Sequence, residues 1–123
     1  MTRMVLAAAI VATAALALTP ASLARTSATP TLVGVVGPGF TVSLRRNGTA
    51  VKTLKAGTYT FLIHDKSSIH DFMLKGPNGF KKRFTTVAFV GTKTVTGRLV
   101  PGNYKAYCSP HASMMFKRFI VTG

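Results

Sequence analysis

The chain contains no glutamate, and among its 123 residues only Asp65, Asp71 and Cys108 carry a carboxylate or a thiol on the side chain. Two acids leave nothing from which to build a carboxylate pair, and no Ser-His-Asp set can be read, so no enzyme is expected. A single cysteine excludes an intramolecular disulfide. The longest apolar run, Val5 to Leu18, has 14 residues, short of the roughly 20 that comfortably span a bilayer. Beyond it no stretch shows helical spacing, an internal repeat or a low-complexity linker, which leaves one small domain.

What is present begins with an export pattern. Arg3 precedes the apolar run, and Thr19-Pro20-Ala21-Ser22-Leu23-Ala24 ends in the small residues of a cleavage site. The expected organisation is a secretory signal peptide over 1–24 and a folded domain over 25–123. That predicts an exported protein in the periplasm, the cell envelope or the extracellular space. There a lone thiol needs an explanation, because oxidising compartments pair cysteines. The domain without its leader has 15 Lys and Arg against two Asp, a net charge of +13 with His neutral. Such a field attracts acidic proteins and anionic surfaces, including the cell envelope. The cations are scattered, with Lys81-Lys82-Arg83 and Arg45-Arg46 as tight clusters, which with export argues against nucleic acid. A monomer is expected.

After the polar lead-in Thr26–Pro30 the pattern alternates with a period near two, and turn residues punctuate it. Strands are expected at Phe40–Leu44, Thr49–Leu54, Thr58–His64, Ile69–Leu74, Val87–Val90, Lys93–Leu99, Tyr104–Cys108 and Phe116–Val121. Asn47-Gly48 reads as a hairpin turn, since both residues tolerate positive φ. Tyr59, Phe61 and Ile63 share one face, and His70, Phe72 and Leu74 share another. The fold class is therefore all-β, a β-sandwich. His64 has the parity of a surface residue, and Met73 that of a packing residue opposite His70.

The chemistry gathers in Cys108-Ser109-Pro110-His111-Ala112-Ser113-Met114-Met115. Tyr104, Ala106 and Cys108 alternate with Lys105 and Tyr107, and the lysine marks the solvent side, so Cys108 turns inward. Pro110 stiffens the loop that brings His111 back toward Cys108. With His70 from another strand, the donors are two imidazoles, one thiolate and a thioether, the set that holds copper in blue one-electron sites.

These segments resemble the cupredoxins, the plastocyanin, azurin and amicyanin group. The matching text is Ala56-Gly57-Thr58-Tyr59-Thr60-Phe61, Ser68-Ile69-His70-Asp71-Phe72, Pro101-Gly102-Asn103-Tyr104 and Cys108-Ser109-Pro110-His111 with a following Met. The resemblance implies a Greek-key sandwich of about seven to eight strands. It implies one type 1 copper held by His70 Nδ1, Cys108 Sγ, His111 Nδ1 and an axial methionine. His111 would be the electron exit, Tyr104 a structural tyrosine corner and Pro110 a stiffener of the ligand loop. Family loops of different length match Met114 and Met115. Inward apolar residues usually follow the axial methionine at four and six positions. From Met115 these are Phe119 and Val121, whereas Met114 would turn Arg118 inward at a cost. Met115 is therefore favoured, with Met114 as the alternative. Where the family usually has Asn, this chain has Asp71. Asp71 is expected to accept hydrogen bonds around Ser109, brace the site and favour Cu(II) over Cu(I).

The function implied is a one-electron carrier that meets an acidic redox protein. A copper storage, buffering or delivery protein could use the same site. A metal-free interaction domain is the remaining alternative.

Overall fold

A computed structural model describes residues 14–23 and 27–123. Most of the leader and Ala24, where cleavage was expected, lie outside the described residues. Residues 14–23 have no regular structure and are exposed, Leu16, Leu18 and Leu23 included. No helix among the described residues is long and apolar enough to cross a membrane.

Among the described residues ten strands form two five-stranded sheets. They are β1 (Thr31–Val36), β2 (Val42–Arg46), β3 (Thr49–Ala50), β4 (Thr53–Lys55), β5 (Gly57–Asp65), β6 (Phe72–Lys75), β7 (Lys81–Thr85), β8 (Gly91–Leu99), β9 (Gly102–Tyr107) and β10 (Phe116–Thr122). One sheet has the order β3-β2-β1-β5-β8 and the other β4-β10-β9-β6-β7. Only β1 with β5 and β10 with β4 pair in parallel.

The inward residues follow from the alternation. Tyr59, Phe61 and Ile63 on β5 meet Phe72 and Leu74 on β6 and Tyr104 and Ala106 on β9 in a single buried core. Gly34 lies between the fully buried Leu32 and Val36. A Cβ there would come within 2.7 Å of the Phe72 ring, so the missing side chain lets Phe72 of the facing sheet close on β1. Asn47 (φ 50°) and Gly48 (φ 77°) make the expected turn between β2 and β3.

Differences from the sequence reading have local causes. Ten strands exceed seven or eight partly because the segment expected as one strand over Thr49–Leu54 divides. β3 pairs with β2 in one sheet, and β4 pairs with β10 in the other. Between them the Val51 N–H donates to the Leu44 carbonyl at 3.0 Å as the chain changes sheets. The Lys81-Lys82-Arg83 cluster is strand β7, which edges its sheet and exposes two of its three cations. Val87–Val90, expected as a strand, is a loop between β7 and β8. Phe40 and Thr41 precede β2 instead of starting it, and Phe40 is exposed. Tyr107 has outward parity yet is buried, because the Lys75 and Lys105 ammonium groups both lie 5.5 Å from its ring centre.

Candidate metal centre

Strand register sets the connections after β1, β5, β7 and β9 at one end of the sandwich. Three of them supply the groups that meet there. The chain leaves β9 with Cys108 fully buried. Its N–H donates to the Met115 carbonyl at 3.0 Å, so the loop closes at its base as the chain enters β10. Ser109–His111 form one 3-10 turn with Pro110 in its first positions. The His111 N–H donates to the Cys108 carbonyl at 3.2 Å, and the Met114 and Met115 N–H groups donate to the His111 carbonyl at 3.1 and 2.8 Å. These bonds within the loop turn His111 back over Cys108. Proline suits the turn because its fixed φ matches and no donor is lost there.

His70 arrives from the segment between β5 and β6 and is fully buried. Its Nδ1 lies 3.2 Å from His111 Nδ1 and 3.7 Å from Cys108 Sγ, and His111 Nδ1 lies 3.6 Å from the same sulfur. The three donor atoms form a nearly equilateral triangle. A point equidistant from them sits about 2.0 Å from each, the length of a bond from imidazole nitrogen to a first-row metal and slightly short for sulfur. Burial of the three residues decreases from His70 and Cys108 to His111, which is half-exposed. Met115 is buried in the core cluster beneath this end, whereas Met114 is 64% exposed. The thioether of Met115 thus belongs to the interior and that of Met114 to the surface. His70 Nε2 is buried and meets no hydrogen-bonding group among the described residues. The imidazole is therefore kept in place by packing and by what its Nδ1 faces.

Burial pushes the Cys108 thiol above its ordinary range. Backbone N–H groups of Asp71 and His111 directed at the sulfur offset part of that rise, while the Asp71 carboxylate adds to it. Two imidazoles and one thiolate in a dry, oxygen-poor pocket suit copper, a metal that takes nitrogen and soft sulfur donors in trigonal geometry with a weak thioether.

Asp71 is fully buried and all of its visible work is bracing. One oxygen accepts the Ser109 N–H at 2.6 Å. The other accepts the Ser109 hydroxyl and, at 2.5 Å, an Arg83 guanidinium N–H. The segment carrying His70 is thereby pinned to the loop carrying Cys108 and His111. Arg83 escaped the sequence reading because its run looked like a solvated basic cluster. Its register, opposite Met73 on β6, aims it at Asp71.

Phe40 was also missed. Its ring stands edge-on to His70 and His111, with centroids 5.1 and 4.9 Å away, and the two imidazoles are themselves 4.9 Å apart. The Gly37-Pro38-Gly39 run before it was the available signal that Phe40 sits on a loop. Tyr104 donates its hydroxyl to the Val100 carbonyl at 2.9 Å and accepts the Val100 N–H at 3.0 Å, bracing the Pro101–Asn103 turn at the opposite end of β9. Tyr59 makes a similar bond to the Lys55 carbonyl at 2.6 Å. His64 is half-buried, bonds Thr92 Oγ1 at 3.0 Å and is not part of the His70, Cys108 and His111 cluster. Met73 is buried outside the main core.

No protein-family model matches the chain. No curated protein matches it in sequence. Solved structures do resemble it. A structure of the copper protein rusticyanin is 20% identical, with 75% of this chain and 76% of that one covered and a TM-score of 0.53. A structure of reduced rusticyanin is 22% identical, with 75% and 78% covered and a TM-score of 0.50. These likenesses establish the fold as that of the cupredoxins.

Proposed function

We propose that the chain is an exported type 1 copper protein that carries one electron at a time. The observation that carries this reading is the triangle of His70 Nδ1, His111 Nδ1 and Cys108 Sγ at 3.2 to 3.7 Å, with Met115 buried alongside. In this reading His70, Cys108, His111 and Met115 would hold the ion. Copper, when bound, supplies the one-electron chemistry of the Cu(II)/Cu(I) couple. The protein's part is to hold its donors still. Cys108 is fixed by its strand, His111 by the turn, and His70 by the Asp71 clamp. Bracing of this kind keeps one geometry for both oxidation states and limits the rearrangement that each transfer requires. Phe40 and the core keep water from the buried faces, and the half-exposed His111 is the route by which an electron leaves.

Export rests on the leader pattern, and the exposed Leu16, Leu18 and Leu23 add nothing to the core. The monomeric domain meets an acidic redox protein, and its charge also suits an anionic cell-envelope surface.

Met114, exposed beside the centre, supports a second reading in which the site stores or delivers copper. Electron self-exchange and copper release to a chelator separate the two. A carrier exchanges electrons rapidly and keeps its metal. A delivery protein yields its metal to the chelator within the same time and exchanges electrons slowly.

A further inference from the structure

The outer face of the sheet that carries Cys108 holds a row of like charges. Lys81 on β7 pairs with Lys75 on β6, Lys75 with Lys105 on β9, and Lys105 with Arg118 on β10. Four cations therefore stand side by side across four strands, where like charges placed opposite one another destabilise a sheet. Among the described residues no side-chain carboxylate pairs with them. The only two acids, Asp65 and Asp71, are both buried, and the one ion pair among the described residues is Arg83 with Asp71.

The row is held together from below. Tyr107 and Phe116 are cross-strand partners. The Lys75 and Lys105 ammonium groups lie 5.5 Å from the Tyr107 ring centre. Lys105 also lies 4.5 Å, and the Arg118 guanidinium 5.3 Å, from that of Phe116. Lys105 donates to the Ala112 carbonyl at 3.1 Å, which ties the row to the His111 loop. Partial burial, then the charges of Lys75 and Arg118, lower the Lys105 pKa, as expected for cations crowded without a counter-ion. The two supporting rings are the chain neighbours of Cys108 and Met115.

We propose that this cationic row is a docking surface for the acidic face of a partner protein, separate from the half-exposed His111 edge. The proposal rests on the carrier reading above, because it seats a redox partner one residue from the thiolate. Carboxylates on a folded partner supply the missing counter-charges across a flat strand surface. An anionic membrane would gain most from apolar groups free to insert; here the rings lie beneath the cations.

The test compares two triple variants with the same net charge. One is Lys75→Gln, Lys81→Gln and Arg118→Gln, which spares the Lys105 bond to the loop. The other is Lys66→Gln, Lys93→Gln and Arg98→Gln, all exposed and away from the row. Binding of a labelled oligoglutamate peptide is read by fluorescence anisotropy at several salt concentrations. The row variant is expected to bind about tenfold more weakly than the control variant, and its melting temperature is expected to equal or exceed that of the unaltered protein. Equal weakening in both variants would overturn the proposal in favour of diffuse net charge. Binding to phosphatidylglycerol vesicles that depends on the row, without oligoglutamate binding, would overturn it in favour of a membrane. Anisotropy needs no metal, so the visible spectrum of the same samples with Cu(II) judges the copper reading independently.

Discussion

The loop from Cys108 to Met115 is shaped chiefly by its own backbone hydrogen bonds, whereas His70 and Asp71 between β5 and β6 are placed by residues distant in sequence. In the loop, Cys108, His111, Met114 and Met115 bond one another through the backbone. On the facing side, His70 is placed by packing and by Asp71, whose partners are Ser109 and Arg83. One half of the centre is local and the other is assembled by the fold. A local motif can form early and survive change elsewhere. The assembled half depends on a buried carboxylate that must stay paired. Asp65 shows what such a group does without a clamp: it is equally buried, accepts one N–H from Ser67 at 3.1 Å, and only closes a turn.

The largest effect should come from cutting the link between the halves. Asp71→Ala leaves the Ser109 N–H and Arg83 without their acceptor and is expected to cost about 2–3 kcal/mol, read from the denaturant midpoint of the metal-free protein. Asp71→Asn keeps an acceptor for Ser109, costs less, and raises the reduction potential of the copper form because a negative charge near the metal is lost. An unchanged or lowered potential would contradict the electrostatic role given to Asp71.

Within the loop, the two methionines should part company. Met115→Ala empties a fully packed position and is expected to cost about 2–4 kcal/mol, with a change in the visible spectrum of the copper form. Met114→Ala lies at the surface and should stay within about 0.5 kcal/mol with the spectrum unchanged. A spectral change from Met114→Ala and none from Met115→Ala would reverse the assignment of the axial ligand.

The smallest effect is a pH dependence of the metal-free protein. The folded Cys108 thiol has a raised pKa, so its contribution to stability is complete below the ordinary thiol value of about 8.5 and declines as pH rises beyond it. The stability difference between the unaltered protein and Cys108→Ala should therefore shrink from neutral to alkaline pH in chemical denaturation. A difference that grows with pH would mean that the thiolate, and not the thiol, is the form the pocket favours.

The same division governs what could be read from the sequence. Inward parity of Cys108, the stiff turn at Pro110 and the opposite fates of Met114 and Met115 were all legible, because strand alternation and turn chemistry act over a few residues. The faces of β5 and β6 and the Asn47-Gly48 turn were legible for the same reason. Arg83 was not, since its pairing with Asp71 depends on β7 lying against β6. Phe40 was not, since a phenylalanine in an alternating run looks like a core residue until the loops meet at one end. The single strand expected over Thr49–Leu54 failed on a non-local fact, the change of sheet between β3 and β4. The cationic row was invisible for a similar reason: Lys75, Lys81, Lys105 and Arg118 become neighbours only through register.

The central claim is that His70, Cys108 and His111 hold one copper with a thiolate bond. The most direct test adds Cu(II) stepwise to the folded domain and follows the visible spectrum. The account predicts an intense blue thiolate-to-copper absorption that saturates at one equivalent and is missing from Cys108→Ser. A folded protein that stays colourless, or an absorption that survives Cys108→Ser, would contradict it.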